Sequence, residues 1–209
     1  MLVLALDESD RIGDQETIRR LLDTLIIRIK DLLIANDRYR LLRSTARNGL
    51  LEQMTRLITL CDLSKTDMAG ILYDTVHQPH ANDNTIAQVV ELILSTGSYI
   101  DAKTICWAAS HGYMKTMEVL WNAGCSLHVY EDAPLRRAAQ YGHYDVVKFI
   151  IDNSDPADLD LSAQNDYAII YAQNNRHVEV AALLRQTMIE RGLDPDRLRS
   201  HRRQWTYNS

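Results

Sequence analysis

Leu135-Arg-Arg-Ala-Ala-Gln-Tyr-Gly-His-Tyr-Asp-Val-Val-Lys-Phe-Ile-Ile151 reads as a helical hairpin. Its short first helix carries Leu135 and then a small pair, Ala138 and Ala139, that lets a neighbouring helix come close. Gly142 supplies the sharp bend, where a Cβ would be costly. The second helix sets Val146, Val147, Ile150 and Ile151 at i, i+1, i+4 and i+5, one apolar stripe. One such hairpin cannot cover its own apolar side, so the pattern asks for copies that stack.

The copies are present. At a shift of 30, Ile105-Cys-Trp-Ala-Ala-Ser-His-Gly-Tyr-Met-Lys-Thr-Met-Glu-Val-Leu120 falls beneath the first segment, with Gly112 under Gly142. At a shift of 34, Ile169 to Leu184 matches, with His177 under His143. Upstream, Leu42 to Ile58 repeats the scheme with Gly49 at the bend. A further unit is needed between these. Glu91-Leu-Ile-Leu-Ser-Thr-Gly97 aligns with Glu118-Val-Leu-Trp-Asn-Ala-Gly124 and predicts a second helix near 84–94. Its first helix is expected over Thr66 to Asp74, with Met68 and Ile71 in the core. Residues 76–84 then read as a polar insertion where the other units turn tightly, and insertions in repeats fall on loops. The expectation is five repeats.

Pro134-Leu-x-x-Ala-Ala-x-x-Gly-His-x-x-Val-Val-x-x-Ile resembles the ankyrin repeat, and the 30–34 spacing is close to that family's period of about 33 residues. The similarity runs over roughly residues 38–188. Of the family's Thr-Pro-Leu-His tetrapeptide only Pro134-Leu135 is kept, and its His column reads Arg43, Cys106, Arg136 and Ile170. In ankyrin repeats the His and Thr tie the first helix to the loop, so irregular repeats are expected. The fold class implied is all-α: an ankyrin-like solenoid of helical hairpins with an N-terminal capping helix. The resemblance also implies a non-enzymatic module that grips a protein partner on its concave side. Divergent repeats in a small chain resemble those of viruses, phages and intracellular bacteria that block or redirect a host protein.

Outside the repeats, residues 1–37 are expected to form a helical cap. Asp14 reads as an N-cap for a helix over 14–35, with Ile18, Leu22, Leu25, Ile29 and Leu32 on one stripe widened by Leu21, Ile26 and Leu33. The stripe is broad, which favours capping a monomer over a coiled-coil dimer through 14–35. Residues 189–209 read as a C-terminal cap and basic tail. There Arg197, Arg199, Arg202 and Arg203, interleaved with His201, Trp205 and Tyr207, offer phosphate contact and base stacking, the nucleic-acid alternative. With 209 residues and a net charge of −5, the whole chain is no generic polyanion binder.

Catalytic and metal patterns are missing. There is no Gly-x-Ser-x-Gly elbow, phosphate loop, dinucleotide fingerprint or His-Glu-x-x-His. His77 and His80 share a loop without further ligands at zinc spacing, and Asp155, Asp158 and Asp160 lack the glycine and closing Glu of a calcium loop. No cofactor and no metal are expected. Cys61, Cys106 and Cys125 are odd in number and widely spaced, which reads as free thiols in a reducing cytoplasm. The apolar Met1 to Leu6 is too short for a signal segment, and no run suits a membrane span.

Binding residues follow from the helical columns. On each first helix, one residue after the His column and two before the bend should point outward: Ser44, Arg47 and Asn48; Trp107, Ser110 and His111; Arg137, Gln140 and Tyr141; Tyr171, Asn174 and Asn175. Trp107, Arg137 and Tyr171 would then align in successive repeats, about 10 Å apart. These residue types dominate interface hot spots, although an aromatic in this column can also serve as filler. Tyr99, Asp101, Lys103, Tyr130, Glu131, Asp132, Asp166 and Tyr167 would extend the patch from the loops.

Overall fold

The computed structural model describes residues 15–28, 35–60, 65–77 and 82–196. Among them lie helices α1 (Gln15–Arg28), α2 (Ala35–Arg47), α3 (Leu51–Leu60), α4 (Lys65–Val76), α5 (Asp83–Ser95) and α6 (Ala102–His111). They continue with α7 (Met114–Asn122), α8 (Ala133–Tyr141), α9 (Tyr144–Asp152), α10 (Ala163–Asn174) and α11 (Val178–Glu190), and no strand occurs among the described residues. After α1 the helices pair into five hairpins, α2/α3 to α10/α11. The chain divides into two compact units, residues 1–104 and 105–209.

In residues 1–104, α2 and α3 pack against each other, α2 meets α4, and α3 meets α5, so like helices neighbour like. Leu41, Leu42, Met54, Leu57, Ile71, Leu72, Val89, Val90 and Ile93 are fully buried between them. The expected core residues Met68 and Ile71 are both inside. Arg43, in the His column of α2, reaches Asp74 of α4 at 3.0 Å, and Tyr39 donates to the same carboxylate at 3.0 Å. Helix α1 lies on α3 and buries Ile18 and Leu22, while Asp23 takes the amide of Gln53 at 3.5 Å. Asp14, Ile29, Leu32 and Leu33 lie outside the described residues.

The insertion expected over 76–84 is shorter than that. Helix α4 runs through Val76, and α5 starts at Asp83 because Asn82 caps it, its side chain accepting from the Thr85 amide at 3.3 Å.

Residues 105–209 stack three hairpins on the same rule. Helix α8 meets α10, α7 meets α9, and α9 meets α11. Ala108, Ala109, Ala138, Ala139 and Ala172 are fully buried, the close approach that the small pairs predict. Val146, Val147 and Ile150 form the buried stripe of α9, with Ile151 half-buried. Each hairpin closes with one recurring bond across the bend: Tyr113 to the Ala108 carbonyl at 3.0 Å, His143 to Ala138 at 2.9 Å, and His177 to Ala172 at 2.8 Å. Leu50 to Thr45, at 2.9 Å, is the same bond in the first hairpin.

The bend requires a left-handed residue, Gly112 at φ 72° and Gly142 at φ 79°. A second constraint adds to the first. A Cβ on Gly112 would come within 2.5 Å of the His143 ring, and one on Gly142 within 2.4 Å of the His177 ring. In the last hairpin the bend falls to Arg176, exposed at φ 62°. A non-glycine residue there costs about 1–2 kcal/mol. Replacing Arg176 with Gly should therefore raise stability by about 1 kcal/mol in denaturant titration. Gly142→Ala should lower it by about 2 kcal/mol or more, since strain and the ring clash act together.

Candidate functional site

The loop entering α8 and the first turn of α10 share an unusual backbone. Tyr130, Glu131 and Asp132 have φ of 51°, 56° and 56°, and Gln164, Asn165 and Asp166 have 54°, 58° and 60°. None is a glycine, and each such residue costs about 1 kcal/mol or more, so the surroundings must hold them. Arg136 does so for the first loop: Nε donates to the Glu131 carbonyl at 2.9 Å and Nη2 to that of Tyr130 at 2.8 Å. In this column the family resemblance implies a His, and Arg136 makes the helix-to-loop tie in its stead. His128 Nδ1 donates to Asp132 Oδ1 at 2.7 Å, and the Asp160 amide donates to Asp132 Oδ2 at 2.9 Å. Glu131 accepts from the Gln164 side-chain amide, linking the two tips.

Asp132 therefore stands differently from its expected place on the surface. It is buried at 4 % exposure with both carboxylate oxygens engaged, because a left-handed residue turns its side chain under the loop. Tyr130, at 56 % exposure, and Glu131 are what a partner would meet there. Asp166, also expected at the loop surface, is likewise buried.

On the first-helix side of residues 105–209, two members of the expected column, Trp107 and Arg137, meet. Trp107 is half-buried, and the Arg137 guanidinium sits 5.5 Å from its ring centre, a cation–π contact between successive hairpins. His111 donates from Nδ1 to the Trp107 carbonyl at 2.9 Å and stacks on Tyr113 at 5.2 Å. One repeat on, Tyr171 stacks on Tyr167 with ring centres 3.9 Å apart, and the Arg136 guanidinium lies 5.4 Å from the Tyr167 ring. Burial pushes the Tyr167 hydroxyl above its ordinary range, and Tyr171 beside it adds to the shift, against the pull of Arg136 and Arg137. Tyr141 and Asn174 are exposed on the same helices.

Two residues of these columns turn inward. Ser110 is buried, its hydroxyl donating to the Trp107 carbonyl at 2.8 Å. Gln140 accepts from the Tyr167 hydroxyl on its side chain at 3.0 Å. Its carbonyl accepts from Asn175 Nδ2 at 2.7 Å and His177 Nε2 at 3.1 Å. Both sit in the last turn of a helix, where carbonyls lack helical partners and neighbouring hairpins supply them. The side-chain and main-chain oxygens of Gln140 are thus engaged within the stack.

In residues 1–104, Arg47 and Tyr99 are exposed, Ser44 is buried, and Asp101 spends Oδ1 on the Lys103 amide at 2.9 Å. The tail residues Arg197, Arg199, Arg202, Arg203 and Trp205 lie outside the described residues, as do His80 and Cys61. His77 is exposed, its ring 5.6 Å from that of Tyr73. Asp155 and Asp160 hold turns, accepting from the Ala157 and Ser162 amides at 2.8 Å each. No group of three or more His, Cys, Asp or Glu poised for a metal occurs among the described residues. Cys125 is a free thiol pushed up by burial to about 11, far from a reactive thiolate.

Sequence columns gave no sign of the opposite side. Tyr144, Glu179, Ala182, Leu183 and Gln186 line an open groove of about 470 Å³ along α9 and α11, and Val178 is 75 % exposed beside it.

Turn histidines join the hairpins. His143 donates from Nε2 to the Ser110 carbonyl at 2.9 Å, as His177 does to Gln140. Burial lowers the His143 pKa, His111 and His177 push the same way, and the Ser110 bond opposes them.

Comparison with known proteins adds one match. Residues 78–163 match the family model of ankyrin repeats, in three copies. No curated protein matches the chain. No helix among the described residues is long and apolar enough to cross a membrane.

Two outcomes follow from these bonds. The unfolded His143 ring takes its proton near pH 6.5, and the folded one only at lower pH. Its contribution is therefore complete above that pH and is lost as the pH falls below it. Melting between pH 7.5 and 5.5 should show a smaller acid loss for His143→Gln than for the parent chain. Asp132→Ala should cost about 2–3 kcal/mol in denaturant titration, because His128 and the Asp160 amide lose their acceptor in a buried place.

Proposed function

We propose that this chain, an ankyrin-repeat protein, works as a non-enzymatic interaction module whose first-helix face in residues 105–209 binds a protein partner. The observation that carries the reading is the run of Trp107, Arg137, Tyr167 and Tyr171 across three successive hairpins, with Tyr130 and Tyr141 exposed on the same helices and loops. Trp, Tyr and Arg give large, rigid contact area with a polar handle, the chemistry of binding hot spots. The left-handed loop tips are tied by Arg136 and Asp132, so the surface needs little ordering when a partner arrives. The free thiol of Cys125 fits a reducing, cytoplasmic setting. A role in blocking or redirecting a host protein extends this reading, and it rests on the likeness of divergent repeats noted above.

Partner capture followed by titration tests it. Trp107→Ala and Tyr171→Ala should each weaken binding by about 2 kcal/mol or more, with melting temperatures within a few degrees of the parent. Unchanged affinity in both variants would place the contact elsewhere.

A further inference from the structure

Among the described residues of 105–209, the first-helix face holds one cation with no hydrogen-bond or ion-pair partner, and we propose that it receives an acidic side chain from an extended peptide segment of the partner. That cation is Arg137. Its neighbour Arg136 spends donors on the carbonyls of Glu131 and Tyr130, Arg43 is paired with Asp74, and Arg185 with Asp196. Arg137 has no hydrogen bond or ion pair among the described residues, and its contact is the ring of Trp107. Arg47 and Arg176 are exposed to water, whereas Arg137 is half-buried and lies beside the Trp107 ring.

The two acidic side chains of the loop entering α8 are engaged elsewhere. Glu131 is bound to the Gln164 amide, and Asp132 is buried and divided between His128 and the Asp160 amide. A guanidinium held against an aromatic ring still presents the edge of its planar fork, which matches a carboxylate in paired, charge-assisted hydrogen bonds. The stacked Tyr167 and Tyr171 rings of the next repeat would carry the flanking apolar or aromatic residues of the same segment. The chemistry points to an Asp- or Glu-centred peptide with aromatic or aliphatic neighbours. This assignment rests on the first-helix face being the binding face.

The test uses the full chain and a phage-displayed library of random dodecapeptides, with selected sequences resynthesised for titration against variants. The expected result is a selected sequence with one fixed Asp or Glu. Arg137→Gln should bind it roughly tenfold more weakly or worse, and Arg137→Lys should fall between, since an ammonium cannot reproduce the fork. Melting temperatures should stay within a few degrees of the parent, because among the described residues Arg137 gives the fold only its contact with the Trp107 ring. If selected peptides lose binding with Trp107→Ala and Tyr171→Ala but carry no acidic position, or bind Arg137→Gln as tightly as the parent, the face stands and the acidic assignment is overturned. If binding ignores all three positions, or no peptide is selected, the face itself is refuted and the assignment falls with it.

Discussion

Stacking in residues 105–209 depends on an imidazole laid over the bend of the preceding hairpin. His143 covers Gly112 and donates to the Ser110 carbonyl, and His177 covers Gly142 and donates to the Gln140 carbonyl. The contact satisfies a helix-terminal carbonyl that its own helix cannot use. It also forbids a side chain at the bend, so the glycine is required by its neighbour as well as by its own backbone. Because each ring is seated in one place, successive first helices come into a fixed register. That register brings Arg137 over Trp107.

The same logic extends to the loops. Two triplets of left-handed residues without glycine would be poor local choices in isolation. Arg136, Asp132 and the Glu131–Gln164 contact offset that strain by tying each tip to its helix or to the following loop. Tyr130 is left exposed on a tip that is already ordered. A face assembled from rigid loops and helices keeps more of its contact energy for a partner than a face that must first be organised.

The hairpins, their bends and their small pairs were legible because they follow from helical periodicity and from glycine's backbone freedom. The core positions Met68, Ile71, Ala138 and Val147 were read correctly for that reason. Helix-column geometry was less able to distinguish outward from inward among short polar residues. Gln140 and Ser110 lie at last-turn positions whose neighbours lack partners, and they were drawn into the stack. Asp132 was hidden by its left-handed backbone, which no glycine announced. Arg136 departed from the family's His column yet kept that column's work, by reaching two loop carbonyls with one guanidinium. The bend at Arg176 shows the converse, since the hairpin closes there at a left-handed φ without a glycine.

The measurement that addresses the central claim most directly is the imidazole nitrogen spectrum of the folded chain, recorded through long-range nitrogen–proton correlation above pH 7. His143 and His177 should each hold a proton on Nε2, fixed there and protected from exchange. Averaged tautomers, or a proton residing on Nδ1, would contradict this, for then the rings would not be giving their hydrogens to Ser110 and Gln140.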